Sequence, residues 1–258
     1  MVTTEYHVVH DPLFRPYTSR LQRLYYHHIY KHEQKSLVCA DQVTVISQYT
    51  QKKLEEVFEF SDSRLIYCGI DPSLFIPREA SKSEMGIDEK TTILLFVGNH
   101  LRRKGSDLLE PIMKELGDDY ILLTTSGLRT ENKIKFNNIR SLGKLDLKGL
   151  VRAYNLCDML LFPSRLEGFG LTVAEAMACG KPVVTTDCSS LPELVIDGKG
   201  GYLCPVDDVK AYAEAIRHLA EDENLRSRMG RFNRQRVLDH FTIEKMTQEY
   251  IKVYRKIT

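Results

Sequence analysis

Two glutamates lie eight positions apart in the stretch SRLEGFGLTVAEAMACGKPVV, which runs from Ser164 to Val184. Glu167 stands next to glycines, whereas Glu175 stands among alanines. The glycines predict a loop around the first carboxylate, and the alanines predict a helix that packs closely on its neighbours. Carboxylates accept hydrogen bonds from hydroxyl groups, so this pair suits a ligand with ribose and sugar hydroxyls. Two acids on a solvated helix start are the simpler alternative, which does not account for the glycines.

A second group of reactive side chains directly follows an apolar run. The stretch GNHLRRKG occupies residues 98–105 and comes after TILLFV at 92–97. Arg103 and Lys104 therefore stand just before a predicted helix, whose N-terminus favours anions. The pattern predicts a diphosphate site. A solvated basic loop is the alternative, and this motif alone does not decide between them.

The sequence gives little reason to expect a bound metal. His28 and His32 are one helical turn apart, which suits zinc only if a third ligand joins them. No third ligand is evident and the chain has no D-x-D triplet, so we expect a polar helix face and no metal. The six cysteines form no C-x-x-C pair, which indicates reduced core residues.

The composition excludes several classes of protein. The chain has 258 residues, of which 43% are hydrophobic, and 36 basic residues nearly balance 35 acidic ones. This near-equality of basic and acidic residues argues against nucleic acid as a partner. No apolar run approaches the roughly 20 residues that cross a bilayer, and the first residues show no signal-peptide pattern, so we expect a cytoplasmic location.

Alternating strand and helix patterns from residue 91 onward predict a doubly wound α/β domain with a parallel sheet. The main strands are predicted at 92–97, 120–125, 159–164 and 182–187, with weaker ones near 138–142 and 201–204. The helices are predicted at 106–116, 146–156, 170–179 and 209–221. Ligands of such sheets bind at the carboxyl ends of the strands, so both motifs are expected to face one crevice.

The chain before residue 75 holds less than a full α/β domain. Its patterns predict two strands, 42–47 and 64–68, and two helices, 17–38 and one that runs from a Ser47 cap to 58. We therefore predict a domain remnant at 1–74, a linker at 75–90, a nucleotide-sugar-binding domain at 91–240 and a carboxyl-terminal helix at 241–258. In the helical tail we expect a break near Gly230 and a cap at Thr242, and the last helix is a candidate to cross back to the first domain.

Residues 15–35 carry five basic side chains against the single acid Glu33, with four tyrosines between them. This pattern is typical of a helix that rests on an anionic membrane, at the inner face if the protein is cytoplasmic. A solvated face with a tyrosine-lined core side is the alternative.

The set of motifs resembles the retaining glycosyltransferases of the GT-B type, family four, also called glycosyl transferases group 1. The resemblance extends from about His7 to the end and rests on PSRLEGFGLTVAEAMACGKPVV, VVHD, AD-x-VTVIS, GID, GNHLRRKG and SSLPELVIDGKGGYLCPVDD. It implies a GT-B fold with a Rossmann-like donor domain and an incomplete second Rossmann-like domain. It also implies metal-independent transfer of a hexose from a UDP-, GDP- or ADP-sugar to a glycan or lipid acceptor, with retention of configuration and no cofactor.

The resemblance further implies roles for individual residues. The implied catalytic residues are Glu167, His10, Lys104 and Arg103. The implied donor-binding residues are Gly98, Asn99, Arg103, Lys104, Gly168, Phe169, Gly170, Leu171 and Glu175. Within these sets, Arg103 and Lys104 would hold the diphosphate, Glu175 the ribose and Glu167 the transferred sugar, and His10 would border the reaction centre.

Two departures from the family pattern leave other functions open. Asn99 stands where many members have arginine, and members carry several βα units before the position of Val8. We therefore expect an excised portion, or a natural short form whose acceptor half another chain supplies. A nucleotide-sugar-binding module without turnover of its own is one alternative function, and a sugar-nucleotide 2-epimerase is another.

Overall fold

Two parallel β-sheets organise the chain in the computed structural model, which describes residues 1–125 and 136–257. The first sheet has the order β1-β2-β3, formed by Val2–Glu5, Gln42–Val45 and Ser63–Leu65. The prediction of two strands was wrong, because the short, threonine-rich strand β1 offers no apolar run to detect. The strand predicted at 64–68 ends three residues earlier, at Leu65.

Two helices accompany the first sheet, and serine side chains fix where each begins. Helix α1 spans Arg20–Cys39 after a capping box between Ser19 and Gln22. Helix α2 spans Gln48–Phe58, and its cap at Ser47 is confirmed. A small apolar cluster that includes Leu37, Val45 and Leu54 joins these helices to the sheet.

The second sheet contains six parallel strands in the order β6-β5-β4-β7-β8-β9. The strands are β4 (Thr92–Phe96), β5 (Tyr120–Thr124), β6 (Ile139–Ser141), β7 (Met159–Phe162), β8 (Val183–Thr186) and β9 (Gly201–Cys204). Both the main and the weaker predicted strands are confirmed. They are recognisable because buried parallel strands are almost continuously apolar.

Helices cover both faces of this sheet, as predicted for a doubly wound domain. They are α3 (Leu109–Leu116), α4 (Leu147–Leu156), α5 (Leu171–Ala178), α6 (Leu191–Leu194) and α7 (Val209–Glu221). Two apolar clusters lie on the two faces, one with α4 and α5 and the other with α3 and α7. Three cysteines, Cys157, Cys179 and Cys204, are buried as predicted, whereas Cys39 is exposed at the end of α1.

The strand order fixes where a ligand can bind. Along the chain, β4, β5 and β6 extend the sheet in one direction, whereas β7, β8 and β9 extend it in the other. The order therefore reverses between β4 and β7, which are neighbours. In open α/β sheets, ligands bind outside the carboxyl ends of the strands at such a switch point.

The tail forms two helices, α8 (Glu223–His240) and α9 (Ile243–Ile257), and the break predicted near Gly230 was wrong. Gly230 lies inside α8 because its bare Cα packs on the loop after α5. A Cβ there would lie 2.0 Å from the Gly180 carbonyl oxygen. The chain bends instead at Phe241, and Thr242 Oγ1 accepts a hydrogen bond from the Lys245 amide, which confirms the predicted cap.

Helix α9 contacts the first sheet, although it follows the second in sequence. Arg64 at β3 forms an ion pair with Glu249, with 2.6 Å between Nη2 and Oε2. The backbone at Ile70 pairs with that at Thr242. The predicted domain boundaries at 74, 90 and 240 stay predictions.

The chain has two halves, a first half that contains strands β1 to β3 and a second half that contains strands β4 to β9. Glu193 of the second half contacts the first half at the N-terminus of α2. Its two carboxylate oxygens each accept a backbone hydrogen bond of 2.8 Å, from Gln48 and Tyr49 in the first turn of α2. Arg236 holds the Glu193 segment by donating to the carbonyl oxygens of Glu193 and Leu194. The positive end of the α2 dipole also stabilises a carboxylate at this position.

Helix α1 presents an exposed apolar and basic face. Leu21 and Leu24 are 80% and 67% exposed, with Arg20 and Arg23 beside them. No helix within residues 1–125 and 136–257 is long and apolar enough to span a bilayer. Contact of residues 15–35 with a membrane surface stays a prediction.

We expect Glu193→Gln to lower the free energy of unfolding by about 1–2 kcal/mol, because one of the two charged hydrogen bonds to the α2 N-terminus becomes neutral and the other is lost, since the glutamine amide nitrogen cannot accept a hydrogen bond. Urea denaturation followed by circular dichroism measures this loss. Glu244→Gln is the matched control, since Glu244 is an exposed acid in the first turn of α9. Equal losses in both variants would contradict a specific role for Glu193.

Candidate functional site

The loops that follow β4 and β7 lie against each other at the switch point. The Arg165 amide donates to the Arg103 carbonyl oxygen at 2.9 Å, and the Ser164 hydroxyl oxygen lies 3.3 Å from the same carbonyl oxygen. The Arg103 guanidinium donates to the Leu166 carbonyl oxygen. The two motifs selected from the sequence therefore form one structural unit.

An ion pair between Lys104 and Glu167 lies at the centre of this unit. Lys104 Nζ is 2.6 Å from Glu167 Oε1, and the Ser164 hydroxyl donates to the same oxygen at 2.5 Å. The side chains are 20% and 7% exposed, respectively. An ion pair this shielded from water is screened much less by salt than a surface pair.

The turn that carries Glu167 is held by hydrogen bonds and by close backbone contact. The Ser190 hydroxyl lies within hydrogen-bond distance of the carbonyl oxygens of Glu167 and Phe169, at 3.1 and 3.0 Å, and can donate to either. Gly168 is required because a Cβ there would lie 2.2 Å from the carbonyl oxygen of Tyr6, at the end of β1. The glycine thus permits contact between the two halves of the chain.

A cleft of about 350 Å³ opens beside the ion pair. The second half lines it with Lys104, Phe162, Glu167, Gly168, Phe169, Gly170, Leu171 and Thr172. The first half contributes Tyr6, His7, Ile46 and Cys68. Because α5 begins at Leu171, the N–H groups of Leu171 and Thr172 have no carbonyl partner within the helix and favour an anion, whereas those of Val173 and Ala174 donate to the Gly170 carbonyl oxygen.

Glu167 lines this cleft, whereas Glu175 is not among the described residues that line it. The Tyr154 hydroxyl donates to Glu175 Oε2 at 2.7 Å, and Tyr154 itself is fully buried. Burial raises the pKa of Glu175, and the hydrogen bond from Tyr154 opposes that rise. The adjacent Ala174 and Ala176 are fully buried, as the small-residue pattern predicts.

Three other predicted donor-binding residues lie near the cleft but outside its described lining. The Gly98 amide donates to Thr125 Oγ1 at 3.2 Å, and Asn99 follows it. The Arg103 guanidinium lies 5.9 Å from the centre of the Phe14 ring. Arg103 therefore connects both loops to the first half, and its predicted contact with a diphosphate stays a prediction.

His10, the predicted neighbour of the reaction centre, packs elsewhere. Its ring centre lies 5.0 Å from that of Tyr30 and 5.6 Å from that of Phe58, and its Nε2 is 2.9 Å from Glu33 Oε2. Among the described residues, His7 instead of His10 lines the cleft. Its position just after β1 is a signal that the sequence analysis missed, since β1 itself was not predicted.

His7 is largely shielded from water and lies among charges of both signs. Burial lowers the pKa of His7, and the charges of Arg103 and Lys104 lower it further. Glu167 and Asp11 act in the opposite direction. The imidazole therefore favours its neutral form, which can accept a hydrogen bond through one ring nitrogen.

The described residues contain no group of three histidine, cysteine, aspartate or glutamate side chains that could hold a metal ion. The His28 and His32 rings are 6.1 Å apart on an exposed face of α1. Metal independence stays a prediction.

Comparison with known proteins assigns the family. The model of the family described as "Glycosyl transferases group 1" matches residues 77–236, which is more than half of the chain. The chain therefore belongs to this family.

Curated relatives support the assignment over a larger range. The chain is 29% identical over 233 residues to N-acetyl-alpha-D-glucosaminyl L-malate synthase from Bacillus anthracis, covering 83% of this chain and 59% of that protein. It is 30% identical over 220 residues to D-inositol 3-phosphate glycosyltransferase from Corynebacterium jeikeium, covering 74% and 52%. The chain spans about three fifths of the length of the first of these relatives and about half that of the second.

Solved structures confirm the GT-B type of fold. Sucrose-phosphate synthase from Thermosynechococcus elongatus superposes with a TM-score of 0.88 at 26% identity, covering 99% of this chain and 67% of that one. Anabaena HepE, solved in complex with UDP-glucose, superposes with a TM-score of 0.80 at 19% identity, covering 99% and 72%. The second likeness shows the fold alone.

We expect Lys104→Met to raise the pKa of His7, because one of the cations that disfavour its protonated form is removed. Histidine titration by NMR measures the shift. The wild-type value should lie below about 6.5, the usual value for histidine. His10 is the internal control, because the causes that lower its pKa are burial and His27 and do not include Lys104. An unchanged pKa of His7, or an equal change in the pKa of His10, would contradict an electrostatic interaction between Lys104 and His7.

Proposed function

We propose that the cleft beside Lys104 and Glu167 binds a nucleoside diphosphate sugar. The chain would then be the donor half of a glycosyltransferase that moves a hexose to a glycan or lipid acceptor with retention of configuration. The observation that carries this proposal is the Lys104–Glu167 ion pair beside the N-terminus of α5, at the switch point of a parallel sheet.

A diphosphate would compete with Glu167 for Lys104. It would accept hydrogen bonds from the lysine and from the first-turn amides of α5, which are suited to anions. The Glu167 carboxylate would then be available to accept hydrogen bonds from sugar hydroxyls. Ser164 already donates to Glu167 at 2.5 Å and would hold it in place.

Charge development on the leaving group is the main catalytic demand. When the bond between the sugar and the diphosphate breaks, negative charge accumulates on the departing oxygen, and preorganised donors stabilise it. We assign this role to Lys104 and the N-terminus of α5 in place of a metal ion. His7, held neutral beside them, would accept a hydrogen bond from a sugar hydroxyl.

The ribose site is proposed on a separate part of α5. Glu175 lies about one helical turn after the residues that line the cleft and is held by Tyr154. Its carboxylate would accept hydrogen bonds from the two ribose hydroxyls, and Tyr154 would act as a positioning residue. UDP-sugars are the first donors to test, since HepE has been solved with UDP-glucose.

A binding module without turnover is the second candidate. It is favoured by the coverage of the two relatives, since the chain spans 59% of the Bacillus anthracis synthase and 52% of the Corynebacterium jeikeium transferase. A complementing chain would then supply an acceptor half. The family assignment favours either of these functions over the epimerase.

Calorimetry with UDP-, GDP- and ADP-sugars tests donor binding. We expect Lys104→Ala and Glu175→Ala each to weaken the binding of the preferred nucleotide sugar about tenfold or more, on the scale of one lost charged hydrogen bond. Lys210→Ala is the matched control, because Lys210 is an exposed lysine of the same domain. Unchanged affinity in both site variants would rule out this cleft as the donor site.

We also propose that the exposed face of α1 rests on an anionic membrane surface. Co-sedimentation with phosphatidylglycerol vesicles measures this contact. We expect Leu21→Glu together with Leu24→Glu to abolish binding, because both changes add charge to the apolar face. Leu147→Glu serves as the control, since Leu147 is 51% exposed on α4. Failure of the unaltered chain to bind these vesicles would refute the contact.

A further inference from the structure

A second cleft adjoins the donor cleft and lies between the first sheet and the last helix. It has a volume of about 350 Å³ and shares Tyr6, Ile46 and Cys68 with the first cleft. Its far wall consists of Met246, Thr247, Tyr250 and Tyr254 of α9. The two clefts are therefore adjoining compartments with one common wall.

The two compartments differ sharply in chemistry. The donor cleft contains the charged side chains of Lys104 and Glu167. None of the nine described residues that line the second cleft has a charged side chain, and five of them carry hydroxyl groups. These five are Thr4, Tyr6, Thr247, Tyr250 and Tyr254. Such a lining suits an uncharged ligand with many hydrogen-bonding groups.

Tyrosine rings give this cleft a surface suited to sugars. Tyr250 and Tyr254 are one helical turn apart, with ring centres 6.3 Å apart and planes within 27°. Tyr254 is 51% exposed, and Tyr6 is 61% exposed. A tyrosine offers both an apolar ring and a polar hydroxyl, which match the C–H faces and hydroxyls of a pyranose.

The position of α9 is fixed by contacts with the first sheet. The Tyr250 hydroxyl is 3.3 Å from Thr4 Oγ1 on β1, and Arg64 pairs with Glu249. The backbone at Ile70 exchanges hydrogen bonds with Phe241 and Ile243 on either side of Thr242. These contacts fix the helix that carries the tyrosines. A fixed helix lowers the entropic cost of binding a ligand.

We propose that the second cleft binds a neutral sugar unit of a glycan acceptor. This inference rests on the proposed donor site, which it completes with an acceptor compartment on the other side of Tyr6. A lipid tail is the less favoured occupant, because it would cover a hydroxyl-rich lining with which it forms no hydrogen bonds.

The shared wall places the acceptor sugar next to the donor sugar. A hydroxyl oxygen of the acceptor would form the new bond to the anomeric carbon of the donor. The bond from that carbon to the diphosphate oxygen breaks with its electron pair, and the hydroxyl proton leaves on the departing diphosphate. Atoms and charge balance without a further reactant.

The test uses the whole chain with three neutral disaccharides, maltose, cellobiose and lactose, and with dodecyl phosphate as the lipid-like probe. Binding is measured by NMR titration. We expect at least one disaccharide to bind and Tyr254→Ala to weaken that binding about fivefold or more, on the scale of one lost aromatic contact. Tyr25→Ala, an exposed tyrosine on α1, should leave it unchanged.

The affinity for the nucleotide sugar separates this inference from the donor site. Tyr254→Ala should leave that affinity within about twofold, because Tyr254 lines only the second cleft. Tyr254→Leu, which keeps the apolar volume, should also lose disaccharide affinity if the ring is what matters. Donor binding without disaccharide binding, or dodecyl phosphate binding that depends on Tyr254, overturns the glycan assignment and leaves the donor site intact. Absence of donor binding instead overturns the proposed function itself.

Discussion

The ion pair between Lys104 and Glu167 is the constraint on which the site depends. Removing either charge would leave the other partly buried without its partner, which is costly in a protein interior. The pair is possible only because the loops after β4 and β7 meet at the switch point, and Ser164 and Arg103 hold them together. Sheet topology, loop contacts and site electrostatics are therefore linked through one contact.

Much of the second half could be predicted from its sequence because local and tertiary signals agree there. Buried parallel strands are almost continuously apolar, and cap residues such as Asp146 mark where helices begin. The first half was harder. Strand β1 is short and polar, so neither the strand nor the position of His7 beside the cleft was predicted. Gly230 looked like a helix break because its packing partner, Gly180, is fifty positions away in sequence.

Residues from both halves of the chain meet at the two clefts. Helix α9 follows the second sheet in sequence but packs on the first, and Gly168 of the second half touches Tyr6 of the first. Both clefts are consequently built from both halves. One cleft is lined by charged side chains and the other is not, which suits the proposed transfer between an anionic donor and an uncharged acceptor.

The most direct test of this account is a crystal structure of the chain with the nucleoside diphosphate that binds most tightly among UDP, GDP and ADP. The account predicts density for the diphosphate between Lys104 and the N-terminus of α5, with the Lys104–Glu167 contact replaced by one from the lysine to phosphate oxygen. Density for the diphosphate elsewhere, with the ion pair intact, would contradict it.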